Sequence, residues 1–351
     1  LNVSSRIPTP RATVSAMAGY TPGEQPGPGV RVIKLNTNEN PYPPSPRVMD
    51  VLRGFDPDQL RRYPNPTAEP FRQAAARKFG LRVEQVIAGN GSDDILNLVM
   101  RAYLDPGDLV AYPDPTYSLY PVLAQLQDAR VACVPWDTGW ALPIDALIAT
   151  RPRIVLVANP NAPSGTLVPT AELGVLAQRF AGLVLIDEAY INFADEDALP
   201  LLAGHPNVLI SRTFSKSHGL AGLRFGYALG DAAVIAELMK VKDSYNCDAL
   251  SIDAAVAALQ DEAYARTTWD AVRNERRRLS AALTGLGFDV IPSHANFVFV
   301  RPPGGDARGL YLSLKARGIL VRHFALPGLD DRLRITVGAP ADNDALLAAL
   351  A

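Results

Sequence analysis

The stretch Gly182-Leu183-Val184-Leu185-Ile186-Asp187-Glu188-Ala189-Tyr190 carries four apolar residues without a polar break and then a carboxylate. A continuous apolar run of this length suits a strand covered on both faces, because a half-exposed strand alternates apolar with polar residues. Three more such runs follow the same pattern: Leu109–Tyr112, Ile154–Ala158 and Val208–Ile210. Glu172–Phe180 has the pattern of a crossover helix between two of them. Strands of this kind joined by helices predict an α/β fold with a mainly parallel sheet, and such sheets bind ligands beyond the carboxyl ends of their strands. The polar residues gather at those ends: Asn159 after one strand, Asp187 after the next, and Ser211 to Lys216 after the third.

Around this centre the chain divides into three parts: an arm (1–45), a large domain (46–245) and a small domain (246–351). Pro and Gly crowd the arm, from Thr21-Pro22-Gly23 to Asn40-Pro41-Tyr42-Pro43-Pro44, so it is expected to be extended. Thr67–Phe79 reads as an amphipathic helix with Thr67 as N-cap and Gly80 as its stop, and Asp93–Tyr103 as a second helix that Asp93 caps. Beyond about residue 245 comes a long helical stretch, Ser251–Leu283, with a break near Asp261. A strand at Asn296–Val300, a helix at Gly309–Arg317 and a strand at Leu333–Val337 complete a small α+β unit.

The totals exclude several classes. With 351 residues the chain exceeds one simple core, and 48% hydrophobic with 20% charged residues is an ordinary globular composition. A net charge of −2 gives no basic excess for nucleic acid or an anionic membrane. The run Arg276-Arg277-Arg278 is expected on a solvated helix face. Cys133 and Cys247 form neither a disulfide framework nor a zinc spacing, so free thiols and no metal are expected. No apolar stretch approaches the roughly 20 residues of a membrane span and no signal-peptide pattern is evident, so a cytoplasmic protein is expected.

The chemistry is concentrated in Ser211-Arg212-Thr213-Phe214-Ser215-Lys216 and the Gly-rich segment leading to Arg224. An amine, a buried carboxylate at Asp187, the phenol of Tyr190 and an arginine are the groups that hold pyridoxal phosphate. The lysine can form a Schiff base with its aldehyde, the aspartate can keep its ring nitrogen protonated, and the arginine can meet its phosphate. Gly89-Asn90-Gly91-Ser92-Asp93-Asp94 opens a helix whose free N–H groups suit a phosphate. Tyr117, in the rigid loop Tyr112-Pro113-Asp114-Pro115-Thr116-Tyr117, can stack on a planar ring. Taken singly, each feature also has a plain structural explanation: a surface lysine, a capped turn, a packed tyrosine.

In combination they resemble the fold-type I pyridoxal phosphate enzymes, and within these the histidinol-phosphate aminotransferases. The resemblance rests on Leu35-Asn36-Thr37-Asn38-Glu39-Asn40-Pro41-Tyr42-Pro43, Arg62-Tyr63-Pro64, Gly89–Asp94, Pro115-Thr116-Tyr117, Asp187-Glu188-Ala189-Tyr190, Ser215-Lys216 with Arg224, and Leu333-Arg334-Ile335-Thr336-Val337-Gly338. It implies a seven-stranded, mainly parallel sheet and a homodimer with shared active sites. Lys216 would bond to the cofactor and shuttle the proton at the substrate Cα. Asp187 would pair with the ring nitrogen, and Tyr190 would hydrogen-bond O3′. Tyr117 and Ala189 would cover the two ring faces. Ser92, Asp93, Thr213, Ser215 and Arg224 would surround the phosphate, joined by Tyr63 of the neighbouring subunit. Tyr20, Asn38, Arg322 and Arg334 would bind substrate, with Arg322 meeting its phosphate. The implied reaction is transamination between L-histidinol phosphate and 2-oxoglutarate. An aromatic amino acid aminotransferase of the same lineage and a threonine-phosphate-type decarboxylase remain alternatives. A regulatory pyridoxal phosphate-binding domain is disfavoured by the lack of a basic DNA-binding segment. One position departs from the pattern: Ala162 stands where an asparagine usually precedes Pro-Thr-Gly. Either Asn161 reaches the cofactor instead or Tyr190 makes the O3′ contact alone.

Overall fold

The computed structural model describes residues 8–27 and 29–351. A short strand β1 (Ile33–Lys34) precedes the large sheet, which is made of β2 (Val86–Gly89), β3 (Leu109–Asp114), β4 (Arg130–Pro135), β5 (Ile154–Ala158), β6 (Leu183–Asp187), β7 (Val208–Thr213) and β8 (Gly226–Gly230). Their spatial order is β2-β8-β7-β6-β5-β3-β4, and only β8 runs antiparallel to its neighbours. Every residue of β5, β6 and β7 is buried, as the unbroken apolar runs require. The chain leaves β3 for the edge strand β4 and returns to β5 on the other side of β3. Strand order therefore reverses there, and a crevice opens beyond the carboxyl ends of β3 and β5.

A second, four-stranded antiparallel sheet follows. It consists of β9 (Asp289–Ile291), β10 (Phe297–Arg301), β12 (Arg322–His323) and β13 (Leu333–Thr336), in the order β12-β13-β10-β9. The remaining strand, β11 (Ile319–Leu320), pairs in parallel with β1. Leu35 is thereby buried with Val298, Val300, Leu333 and Ile335, which ties the end of the arm to the C-terminal core.

Several expectations need correction. The arm is not extended throughout: Ala12–Ala16, free of Pro and Gly, forms a short helix. Residues 1–7 and 28 of the arm lie outside the described residues. The helix expected from Thr67 runs Glu69–Phe79, and Asn65 is the side chain that accepts from Thr67 N and Glu69 N, at 3.0 and 3.1 Å. The helix expected from Asp93 runs Ser92–Tyr103 with Gly91 at its N-cap, so Asp93 lies inside the first turn, free to face the crevice. The break near Asp261 is present, between helices Ala249–Gln260 and Glu262–Gly285. Helix Ala249–Gln260 falls after the expected domain boundary, yet it buries Ile252, Ala254, Ala255 and Ala258 with Phe71, Val86 and Phe214 of the large-sheet core.

The arginine run is also misjudged at one position. Arg277 and Arg278 are exposed, but Arg276 is buried and donates to the carbonyls of Phe193 and Ala295 at 3.1 and 2.7 Å. Burial pushes its guanidinium down to about 10. Position along the helix decides this, because Val272, Glu275, Arg276, Leu279 and Leu283 share its inward face. Replacing Arg276 by Leu leaves two buried carbonyls unpaired and should lower unfolding stability by about 2–3 kcal/mol, whereas Arg277→Ala should change it by less than about 0.5 kcal/mol. Urea denaturation of the two variants checks the contrast; equal effects would put Arg276 on the surface.

Candidate active site

Parallel pairing brings three chain segments into one row. Ala158 at the end of β5 pairs with Asp187 at the end of β6, which pairs with Ser211 on β7. Asp187 is buried at the floor of a cavity of about 260 Å³. It accepts hydrogen bonds from Ser211 Oγ at 3.1 Å and from Tyr120 Oη at 3.0 Å. Those bonds favour the carboxylate, but desolvation outweighs them and pushes Asp187 up to about 6. Tyr120 was not anticipated, although it follows Tyr117 by three residues across the turn that opens helix Leu119–Leu126, where Tyr120 N donates to Tyr117 O at 3.2 Å.

Beyond β7 the chain makes a single helical turn, Phe214–Ser217, capped by Thr213 Oγ1 accepting from Ser215 N at 3.1 Å. Phe214 anchors the turn among Phe71, Phe225 and Tyr227. Its carbonyls are pinned from outside: Asn40 Nδ2 donates to Lys216 O and Ser217 O, and Trp269 Nε1 donates to Ser217 O at 2.7 Å. His218 closes the turn, with Nδ1 2.7 Å from Ser217 Oγ and its ring edge-on to Trp269. Burial drives it down to about 3, so it stays neutral and acts as packing. Lys216 points into the cavity and donates to Thr37 O at 2.8 Å. Desolvation, with help from the positive charge of Arg334, lowers its amine to about 8.

A cup of hydrogen-bond donors lies at one end of the cavity. Ser92 opens a 12-residue helix, and Thr213, Ser215 and Arg224 stand near it. Arg224 has φ +51° and donates to Ser215 Oγ at 3.2 Å while pairing with Asp93 at 3.3 Å. Two glycines permit this approach. A Cβ on Gly226 would lie 2.4 Å from Ser92 N, and one on Gly91 (φ +89°) would lie 2.7 Å from an Arg224 Nη. Asp93 also accepts from Tyr117 Oη at 3.2 Å.

Opposite the cup, Tyr190 Oη accepts from Asn38 Nδ2 at 3.0 Å, and its ring meets Phe297 edge-on at 5.0 Å. Asn38 (φ +56°) is fixed by Thr336 and Asn296. The arm closes one side: Tyr20 stands 6.1 Å from Tyr117, and Glu24 pairs with Lys315 at 2.8 Å. Beneath the floor, buried Arg212 pairs with Glu188 at 2.7 Å and with Asp197 at 2.9 Å, tying β7 to the segment that follows β6. Desolvation nevertheless holds Glu188 above the usual carboxylate range.

Tyr20, Asn38, Ser92, Asp93, Tyr117, Asp187, Ala189, Tyr190, Thr213, Ser215, Lys216, Arg224, Arg322 and Arg334 all line this cavity. Two expected residues do not. Asn161 is buried and its amide is committed elsewhere, accepting from Thr116 Oγ1 and donating to Pro115 O and Ser164 Oγ. It locks two loops together while Pro160, Ala162 and Pro163 form the wall, so it does not reach in to replace the missing asparagine. Tyr63 is 81% exposed and stacks on Tyr245, with ring centroids 4.4 Å apart. Asn36, Thr37 and Phe324 line the cavity without having been anticipated as site residues.

The donor set can hold a flat, phosphorylated heterocycle. The cup offers an arginine, hydroxyls and a helix N-terminus to the phosphate. Asp187 offers a carboxylate to a ring cation, and Tyr117 and Ala189 are available for its faces. Lys216 offers an amine that loses its charge near pH 8, well below a lysine in water.

The aminotransferase class I and II family model matches residues 30–350. Histidinol-phosphate aminotransferase 1 of Trichormus variabilis is 47% identical over 340 residues, covering 97% of this chain and 97% of its own length. Histidinol-phosphate aminotransferase 1 of Burkholderia pseudomallei is 46% identical, covering 96% of each. The crystal structure of histidinol-phosphate aminotransferase from Sinorhizobium meliloti in complex with pyridoxal-5′-phosphate superposes with a TM-score of 0.89 at 27% identity, covering 99% of this chain and 97% of that one. By sequence over nearly its whole length, and by fold, the chain belongs to the class I and II aminotransferases.

Proposed function

We propose that this enzyme is a pyridoxal phosphate-dependent aminotransferase that moves the amino group of L-histidinol phosphate to 2-oxoglutarate, giving imidazole-acetol phosphate and L-glutamate. The observation that carries the reading is a single cavity holding Lys216, Asp187 and Arg224 for the cofactor, and Arg322 and Arg334 for an anionic substrate. Relatives named for this activity, 43–47% identical over nearly the full chain, support it.

When bound, pyridoxal phosphate supplies an aldehyde that takes up the substrate nitrogen and a ring that draws electrons from the substrate Cα. Asp187 would hold a proton on the ring nitrogen. Its burial makes that charge pair strong, and Tyr120 and Ser211 keep the carboxylate in place. Tyr190 would donate to O3′ without help from an asparagine, since Ala162 lines the wall at that point. Ser92, Thr213, Ser215 and Arg224 would hold the phosphate. Lys216 would hold the cofactor through its aldehyde, and its free amine would take the proton from the substrate Cα and hand it on as the amino group is transferred. Tyr20 and the arm would shield the reacting carbon from water. Arg322 and Arg334 suit both substrates, because guanidinium binds phosphate and carboxylate alike.

Tyr63, exposed on its own chain, would reach the phosphate cup of a second copy, making a homodimer with shared sites. We place the boundary between large and small units at Asp261 rather than at 245, because helix Ala249–Gln260 packs on the large sheet.

Rapid-mixing absorbance of the cofactor-loaded enzyme tests the substrate. L-histidinol phosphate and L-glutamate should convert it quickly to the amine form and L-phenylalanine slowly, while Lys216→Ala should slow conversion by about 10,000-fold or more. Equal or faster conversion by phenylalanine would move the assignment to an aromatic amino acid enzyme.

The lowered Lys216 gives a pH prediction. Only the neutral amine attacks an aldehyde, so covalent capture of pyridoxal phosphate by cofactor-free protein should accelerate as pH rises and level off above about 8. Borohydride trapping at a series of pH values measures it. A rate still climbing beyond pH 10 would mean that Lys216 titrates like a lysine in water.

A further inference from the structure

The register of the small sheet puts two arginines directly opposite one another. Arg322 on β12 is the cross-strand partner of Arg334 on β13, and Phe299 on β10 is the partner of Arg334 on its other side. Like charges placed this way repel, and little nearby offsets them. Arg334 Nη2 donates to Asn36 O at 3.2 Å, while its Nε is enclosed without a hydrogen-bond partner. Among the described residues, Arg322 donates only to the carbonyls of Thr21 and Pro22, at 3.5 and 3.4 Å. Aromatic rings flank both guanidiniums. The Arg334 guanidinium carbon lies 5.3 Å from the Phe297 ring centre and 5.5 Å from that of Phe324. The Arg322 guanidinium carbon lies 5.5 Å from the same Phe324 ring. Phe324 is thus shared by both cations, and Phe299, edge-on at 6.3 Å and 76°, fixes its plane. Arg322, Phe324 and Arg334 all face the cavity.

We propose that Phe324 determines specificity: its ring holds the two guanidiniums side by side and so builds a cleft for a doubly charged oxyanion, a phosphate monoester, in preference to a lone carboxylate. A ring face attracts a cation but carries no net charge. Two positive charges therefore remain, which a dianion spanning both arginines neutralises and a single carboxylate does not. This inference rests on the proposed substrate and adds the residue that makes its phosphate the preferred anion.

The test uses cofactor-loaded enzyme with Phe324→Leu and Phe324→Tyr, and two probes, inorganic phosphate at pH 8 and acetate, titrated by calorimetry. Cofactor absorbance and circular dichroism report that each variant remains folded and loaded. The leucine variant should bind phosphate at least 10-fold more weakly and acetate less than 3-fold more weakly, with the tyrosine variant within 3-fold of wild type. In turnover, Phe324→Leu should raise KM for L-histidinol phosphate about 10-fold and leave kcat within about 3-fold. Unchanged phosphate binding in the leucine variant, equal weakening of both anions, or loss in the tyrosine variant as large as in leucine would overturn the proposal. Ring-dependent phosphate binding by an enzyme that does not convert L-histidinol phosphate would uphold Phe324 and remove the substrate reading instead.

Discussion

A carboxylate buried at the end of a central strand and left without a cation is the constraint on which the site depends. Asp187 takes two hydroxyl hydrogen bonds, yet they do not repay its desolvation, and its pKa stands at about 6 rather than the usual 3.8. Between those values the folded chain holds a proton that the unfolded chain has lost. The contribution of Asp187 to stability therefore falls as pH rises through that window, and above about 6 it becomes a standing cost on the order of 3 kcal/mol. Such a cost persists where it serves a ligand: a cationic ring nitrogen would turn it into a favourable buried pair.

The rest of the architecture positions groups around that carboxylate. The β5–β6–β7 register sets Ala158, Asp187 and Ser211 in one row, and the end of β7 with the helical turn after it delivers Thr213, Ser215 and Lys216 within five residues. On the opposite face the Glu188–Arg212–Asp197 network locks the same two strands, since alternation along β7 sends Ser211 and Thr213 toward the cavity and Arg212 away from it. The small sheet adds a second device of the same kind, two unneutralised cations facing the cavity. Negative charge at the floor and positive charge at the mouth are both held open by the fold, and each would be answered by a ligand of opposite charge.

Much of this was legible in the sequence because the signals were local. Unbroken apolar runs gave β5 and β6 nearly residue for residue and the first half of β7, and the polar residues at their ends marked the site. In the large sheet β2, β4 and β8 went unread, as did the short strands β1, β9, β11 and β12; Gly226–Gly230 is bounded by glycines that read as turns, although Gly226 is required by the 2.4 Å approach of its missing Cβ to Ser92 N. Arg276 was misread because the carbonyls that pair with it on the helix's inward face lie 83 and 19 residues away. Tyr120 and Phe324 have local signals, three residues from Tyr117 and two residues from Arg322. Their partners, Asp187 and Arg334, become apparent only through tertiary pairing. Asn161 was misplaced for the opposite reason: its sequence position borders the site, but its amide is spent on holding two loops.

The most direct measurement is the melting temperature of wild type and Asp187→Asn at pH 7.5, each with and without pyridoxal phosphate. Because Asn removes the unneutralised charge, keeps one acceptor oxygen and offers an N–H that the other hydroxyl can accept, the cofactor-free variant should melt at or above the wild type, and the cofactor should raise the wild type by several degrees more than the variant. A cofactor-free variant that melts several degrees below wild type, together with equal cofactor increments in the two proteins, would contradict the account, for Asp187 would then stabilise the fold by itself and contribute nothing to the ring.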